Sequence, residues 1–278
     1  MEENRRRDLF FPILSSDLLM GPFLLTARLF TTGIFVFYIL DEIRAPHAAS
    51  ALIYLAAIQF VGVILVALGY KTRFAALLLA FCIIARLLSN GSAGPAAVFM
   101  IHLLKDLALA GGFLFMFAYG PGPLSLDRLG GGGKSRGQED DFFSPLLGSN
   151  MAMGLLLFAG RVLSTVVFFY YGTSKILHTS RMQAYMMAHN SHVPINLIYL
   201  AILTQIVPPA LVVLGYKTRY GALALAGFCI IATSLFHAEF GNHAEVEQFL
   251  LDFALAGGLL FMFAFGPGPL SFDERERR

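Results

Sequence analysis

Residues 106–127 read DLALAGGFLFMFAYGPGPLSLD, and residues 252–273 read DFALAGGLLFMFAFGPGPLSFD. Eighteen of the 22 positions agree, and the four that differ exchange one apolar or aromatic residue for another. A long apolar run closed by two Gly-Pro pairs is improbable once, so its recurrence points to a duplicated unit. Proline fixes φ and lacks a donor, while glycine permits sharp turning, so a helix must end at each GPGP. Ser125 and Asp127 then suit a polar turn or a helix cap just beyond it.

Working outward, LGYKTR at 68–73 recurs at 214–219, and FCIIA at 81–85 recurs at 228–232. Apolar runs of about 17 to 25 residues are long enough to span a bilayer as helices. Eight such runs are expected, at 22–40, 50–69, 74–89, 97–119, 154–172, 195–214, 220–237 and 246–265. They are too long and too weakly alternating for strands, and open sheet edges have no place in hydrocarbon. The expected fold is therefore all-α: a polytopic membrane protein of two four-helix bundles. The boundaries are 1–21 for an N-terminal segment, 22–128 for the first unit, 129–150 for a Gly-rich, charged linker and 151–278 for the second unit. Four spans per unit is an even number, so the copies run parallel about an axis along the membrane normal.

Composition agrees. Of 278 residues 57% are hydrophobic and only 14% charged, too few charges to clothe a water-facing surface, so lipid is the main solvent. Net charge is +2, which gives no reason to invoke nucleic acid. Tryptophan is absent, leaving Tyr38, Tyr70, Tyr119 and Tyr216 to form any interfacial aromatic belt. Cys82 and Cys229 both lie in FCII, and no disulfide framework or CxxC pair occurs, so both read as small packing residues. MEENRRRDLFF at the start reads as an uncleaved anchor, because no small-residue cleavage site follows it. GGGGKS at 130–135 lacks the upstream glycine of a phosphate loop and follows no strand, so it reads as linker.

Orientation follows from the basic residues. In an eight-span arrangement Arg5, Arg6, Arg7, Lys71, Arg73, Arg128, Lys134, Arg136, Lys217, Arg219, Arg275, Arg277 and Arg278 share one side. The other side receives Arg44, Lys175 and Arg181. The positive-inside rule then places both termini and the linker in the cytoplasm.

Ionisable and amide groups inside the spans are the candidates for chemistry. Arg28 and Arg161 match near one end of spans 1 and 5; Gln59 and Gln205 match in spans 2 and 6; Asp106 and Asp252 match in spans 4 and 8. At 1.5 Å per residue they form a ladder at roughly 9, 15 and 20 Å from the cytoplasmic face. A lone charge there costs on the order of 3 kcal/mol, so partners are expected. Arg86 reaches the depth of Asp106 and is its natural counter-ion, but its counterpart is Thr233, so Asp252 needs another partner. Lys105 adjoins Asp106 but points about 100° away around the helix. The ladder reads either as a structural network or as a proton path or polar ligand site.

Residues 173–194, with His178, His189, His192, Met182, Met186 and Met187, exceed their first-copy counterpart by about 13 residues. Copper or zinc could use such ligands, but a re-entrant or surface amphipathic helix accounts for the methionines, and no metal site is expected. His237, Glu239, His243 and Glu245 surround the next loop and carry no stronger signal. Ala108 with Gly112, and Ala254 with Gly258, make faces that let helices approach closely.

With Arg161, GTSK at 172–175, the LGYKTR turn and the closing GPGPLSFD assembled, the chain resembles two fused copies of the DoxX-like family of four-helix membrane proteins. The resemblance covers most of residues 154–273 and, less completely, 22–128. Glu42 stands where Lys175 stands in the second copy, and Gln59 and Gln205 stand where the family often has a glutamate. The resemblance implies a bacterial inner-membrane protein associated with sulfur or thiol redox systems and with quinone reduction. No covalent cofactor motif occurs, and no matched histidine pair offers haem ligation.

The expected function is a membrane subunit that anchors or assists a quinone-linked or thiol/sulfur redox complex. Its partners would be the lipid bilayer and a protein of that complex, with quinone the possible ligand. Lining the site would be Arg28, Gln59, Arg86, Asp106, Arg161, Lys175, Gln205 and Asp252. The alternatives are a purely structural subunit of a larger assembly, or transport of a small solute or proton at the repeat interface.

Overall fold

A computed structural model describes residues 16–44, 50–90, 96–130, 143–189, 194 and 196–276. Arg5, Arg6, Arg7, Lys134, Arg136, His192, Arg277, Arg278 and the His189 side chain lie outside the described residues, and with them the N-terminal anchor and most of the linker. All regular structure among the described residues is helical. The helices are α1 Asp17–Arg44, α2 Ser50–Leu68, α3 Thr72–Asn90, α4 Ala96–Tyr119, α5 Leu126–Gly130 and α6 Ser144–Gly148. They continue as α7 Asn150–Leu177, α8 Thr179–His189, α9 Leu197–Leu214, α10 Thr218–Phe236, α11 His243–Phe265 and α12 Phe272–Arg275.

Six of them are long and apolar enough to cross a membrane: α1, the Phe99–Tyr119 part of α4, α7, α9, α10 and α11. In α2 the apolar stretch Ile53–Leu68 is shorter, and α3 is not among the six. Large apolar side chains point outward along these helices, including Tyr54, Phe81, Leu203 and Ile231, as lipid-facing surfaces require.

The four central helices are α1, α4, α7 and α11. Helices α1 and α11 run antiparallel, with Phe23 against Phe263, Phe30 against Phe253 and Phe37 against His243 at centroid distances of 5.6, 4.8 and 4.5 Å. Helices α4 and α7 are joined in the same sense: Ser164 Oγ donates to Ala108 O at 3.5 Å, and Gly160 faces the Phe115 ring. Between these pairs α4 and α11 lie side by side. Gly112 and Gly258 touch through their backbones, and one heptad later Tyr119 stacks on Phe265 with centroids 4.5 Å apart and planes 5° apart. The small-residue faces thus serve close helix approach, as expected from their spacing.

The repeated phrase is a clamp. Gly120 and Gly122 adopt φ of 77° and 89°, and Gly266 and Gly268 adopt 84° and 87°, which folds each GPGPLS segment back beneath its bundle. It lands on the YK turn between the second and third helices of its half. Asp127 N donates to Gly69 O at 2.9 Å, and Asp273 N donates to Gly215 O at 2.8 Å. The Asp127 carboxylate accepts from Lys71 N at 2.6 Å and Thr72 N at 3.2 Å; Asp273 accepts from Lys217 N at 2.6 Å and Thr218 N at 3.0 Å. Each aspartate therefore caps the start of α3 or α10 from about 55 residues away in sequence. It also holds Lys71 and Lys217 at φ of 45° and 47°, a region that non-glycine residues seldom occupy. Asp273→Ala should remove the cap and release this strained lysine, at about 1 kcal/mol. A lower melting temperature in detergent would register the loss; an unchanged one would refute the capping role.

Candidate functional site

Arg28 and Arg161 are each 1% exposed, yet both serve the clamp. Arg28 donates through Nη1 to Val66 O at 3.3 Å and through Nη2 to Leu124 O. Arg161 Nη2 donates to Leu270 O, and its guanidinium carbon lies 5.4 Å from the Phe158 centroid. The turn glycines are fitted to this arrangement. Gly69 and Gly215 sit at φ of 70° and 71°, where a Cβ would meet the guanidinium and lie 2.5 Å from Ser125 Cβ or Ser271 Cβ. The arginines thus satisfy carbonyls of the clamp segments and, through Arg28, one in the last turn of α2. They are separated from the deeper polar groups, which form two clusters.

The first-half cluster comprises Tyr38, Glu42, Gln59, Arg86 and Asp106. Arg86 lays its guanidinium carbon 3.2 Å from the Tyr38 ring centroid. It does not come within ion-pair distance of Asp106, the counter-ion expected for it, although its charge acts on that carboxylate together with Glu247. Gln59, 1% exposed, stands beside Glu42. Neither the Gln59 amide nor the Glu42 carboxylate reaches a hydrogen-bond partner at normal distance, and the Tyr38 hydroxyl is likewise unpartnered. Five buried polar atoms without partners make this a place where water or a polar solute would be held.

The second cluster surrounds a cavity of about 670 Å³ between α7, α8, α9, α10 and α11. Lys105 enters it from α4, pairing with Asp252 at 3.6 Å and donating to Gln248 Oε1. This is the partner that Asp252 lacks within its own half. Lys175 donates to Gln205 Oε1 at 2.8 Å, and Tyr171 offers its ring face to both ammonium groups, at 5.8 Å from Lys105 and 5.3 Å from Lys175. Of the eight residues expected from sequence to line the site, the cavity gathers Lys175, Gln205 and Asp252. Gln59, Arg86 and Asp106 belong to the other cluster, and Arg28 and Arg161 to the clamp.

The walls are otherwise apolar. Leu200 and Ile231 line the cavity and are 56% and 62% exposed, so its mouth lies between α9 and α10 on the lipid-facing side. Pro208 and Pro209 stand inside α9. Lacking N–H groups, they leave the carbonyls of Thr204 and Gln205 without their helical donors, directly at the cavity wall. Met182 and Met186, on the helix formed by Thr179–His189, close the cavity from one end, and His237, bonded to Glu245 at 2.6 Å, marks the same region. His178, just past the end of α7, has its Nδ1 3.2 Å from Ser174 O in that helix. Among the described residues no group of three or more His, Cys, Asp or Glu side chains is placed to hold a metal ion.

Sequence reasoning missed Lys105, Tyr171, Gln248 and the methionines as members of the site. A lysine in mid-span demands a partner, and that signal was present. What it points to depends on how the two halves pack, which no local pattern records.

The model of the DoxX family matches residues 156–238, which carry α8, α9, α10 and most of α7. The chain is 32% identical to the inner membrane protein YqjF of Escherichia coli (strain K12) over 113 residues, covering 41% of this chain and 85% of that protein. No solved structure matches the chain. With its apolar helices, its matching turns and a relative aligned over most of its length, this chain is a multi-pass inner-membrane protein that belongs to the DoxX family.

Proposed function

We propose that the chain is a membrane-embedded subunit that holds a lipophilic small molecule with a compact polar head, a quinone being the class to test first, in the service of a redox partner protein. The observation that carries this reading is the cavity of about 670 Å³, which has apolar walls, convergent polar groups and a mouth toward lipid. Its size and lining fit a small-ligand site.

The same reading takes the chain as two parallel four-helix units with eight spans. It is supported by the order of the helices, α2 and α3 answering to α9 and α10, and by the clamp found in both halves. The relative supports it too: the same 113 residues are 85% of that protein but 41% of this chain, so one unit approximates its length. Lys71, Arg73, Arg128, Lys217, Arg219 and Arg275 all attend the clamp end, which favours a cytoplasmic position for it. Close backbone contact of Gly112 on Gly258 favours a binding role over a conduit between the halves.

Two measurements test the proposal. Mild-detergent isolation followed by mass spectrometry should recover a dehydrogenase or another oxidoreductase with the chain. Extraction of the purified protein should yield bound quinone, reduced several-fold by Ala201→Trp, which fills the cavity from its wall. Isolation as a lone protein with no lipophilic ligand would sink it.

A further inference from the structure

The two halves place corresponding residues at corresponding positions but do not carry the same charges. Tyr38, Glu42, Gln59, Arg86 and Asp106 in the first half answer to Tyr171, Lys175, Gln205, Thr233 and Asp252 in the second. The first set holds two carboxylates and one guanidinium. In the second, Lys175 replaces a carboxylate, Thr233 replaces the guanidinium, and Lys105 crosses over from α4. That cluster has two ammonium groups and one carboxylate.

Those three charges do not share evenly. Lys105 is taken up by Asp252 and Gln248. Lys175 has an amide oxygen at 2.8 Å and a ring face at 5.3 Å, neither of which carries a net negative charge. An ammonium group at the wall of an apolar, lipid-facing cavity calls for a counter-ion. Among the described residues no carboxylate lies within ion-pair distance of it, since Asp252 acts on it only from farther off and is engaged by Lys105, so the occupant is the natural source.

We infer that the cavity selects a single-tailed amphiphile whose head is an anionic oxygen, bound by Lys175, with its tail lying toward Leu200 and Ile231 at the mouth. This rests on the reading of the cavity as a ligand site and adds the sign of the head. Gln205 holds the lysine in place, and the Tyr171 ring lies within cation–π reach of both ammonium groups. The shared chemistry has two sources: the carboxylate of a fatty acid, or the ionised hydroxyl of a hydroxyquinone.

The test uses the full chain in nanodiscs of zwitterionic lipid, with binding read by native mass spectrometry. Four probes are compared: oleate, methyl oleate, an alkyl hydroxynaphthoquinone and its methyl ether. Each anion should bind at least about tenfold more tightly than its neutral twin, the scale of one charge-assisted hydrogen bond. Preference confined to one pair would support the inference and identify the source. Lys175→Gln should abolish the preference, and Lys175→Arg should retain it. Equal binding of anion and neutral twin, or a preference unaffected by Lys175→Gln, would overturn the inference and leave the cavity as a ligand site. Failure of all four probes to bind would overturn both.

Discussion

Lys105→Met is expected to destabilise the protein by about 3–5 kcal/mol, the scale of leaving a buried charge without its partner. The lysine is 4% exposed and faces Asp252 at 3.6 Å across the boundary between the two halves. Its loss strands a carboxylate at a depth where lipid supplies no solvation. The double variant Lys105→Met with Asp252→Leu should recover most of that loss, since an apolar pair of similar volume replaces a desolvated ionic one. Reversible unfolding in mixed detergent micelles gives all the corners of this cycle. A Lys105→Met protein as stable as the parent would show that the two groups do not interact. Lys175→Met should cost far less, because it strands no carboxylate within ion-pair distance.

The second large effect is expected at the glycine pairs. A methyl group at Gly257 would lie 2.5 Å from Ala27 O and 2.7 Å from Thr31 N; at Gly111 it would lie 2.7 Å from Gly160 O and from Ser164 N. These obstacles are backbone atoms, so no rotamer change relieves them. Gly257→Val should force α1 and α11 apart and cost at least about 1–3 kcal/mol, the range of overpacked cores, with a matching fall in melting temperature. Gly33→Ala and Gly227→Ala are the controls, since nothing stands within 4 Å of a Cβ at either position. Equal behaviour of Gly257→Val and the controls would contradict the packing described for these helices.

Much of this architecture could be read before any coordinates. Apolar length, GPGP and the duplicated LGYKTR turn announce a helical membrane protein, and the family follows from the same residues. The ladder was legible only as a set of depths. What each residue meets depends on its direction around its helix: Arg28 and Arg161 turn to the clamp, Arg86 lies on Tyr38, and Lys175 meets Gln205. Direction depends on which helix lies alongside, and the order of packing is α1 on α11 and α4 on α7 across the halves. A scan of each half by itself cannot find that order. The cavity was illegible for a related reason, since Met182 and Met186 become its end wall only once α8 has folded over it.

The crossing of Lys105 has a consequence for assembly. Two free-standing copies of the carboxy-terminal half would put Leu251 where Lys105 stands, and Asp252 would face hydrocarbon. Two copies of the amino-terminal half would bring Lys105 to His102 and Asp106, with no counterpart of Gln248. Only the mixed pair gives Asp252 a cation and gives Lys105 both a carboxylate and an amide oxygen. Carrying both on one polypeptide fixes their proportion at one to one, and every molecule synthesised already contains the correct mate.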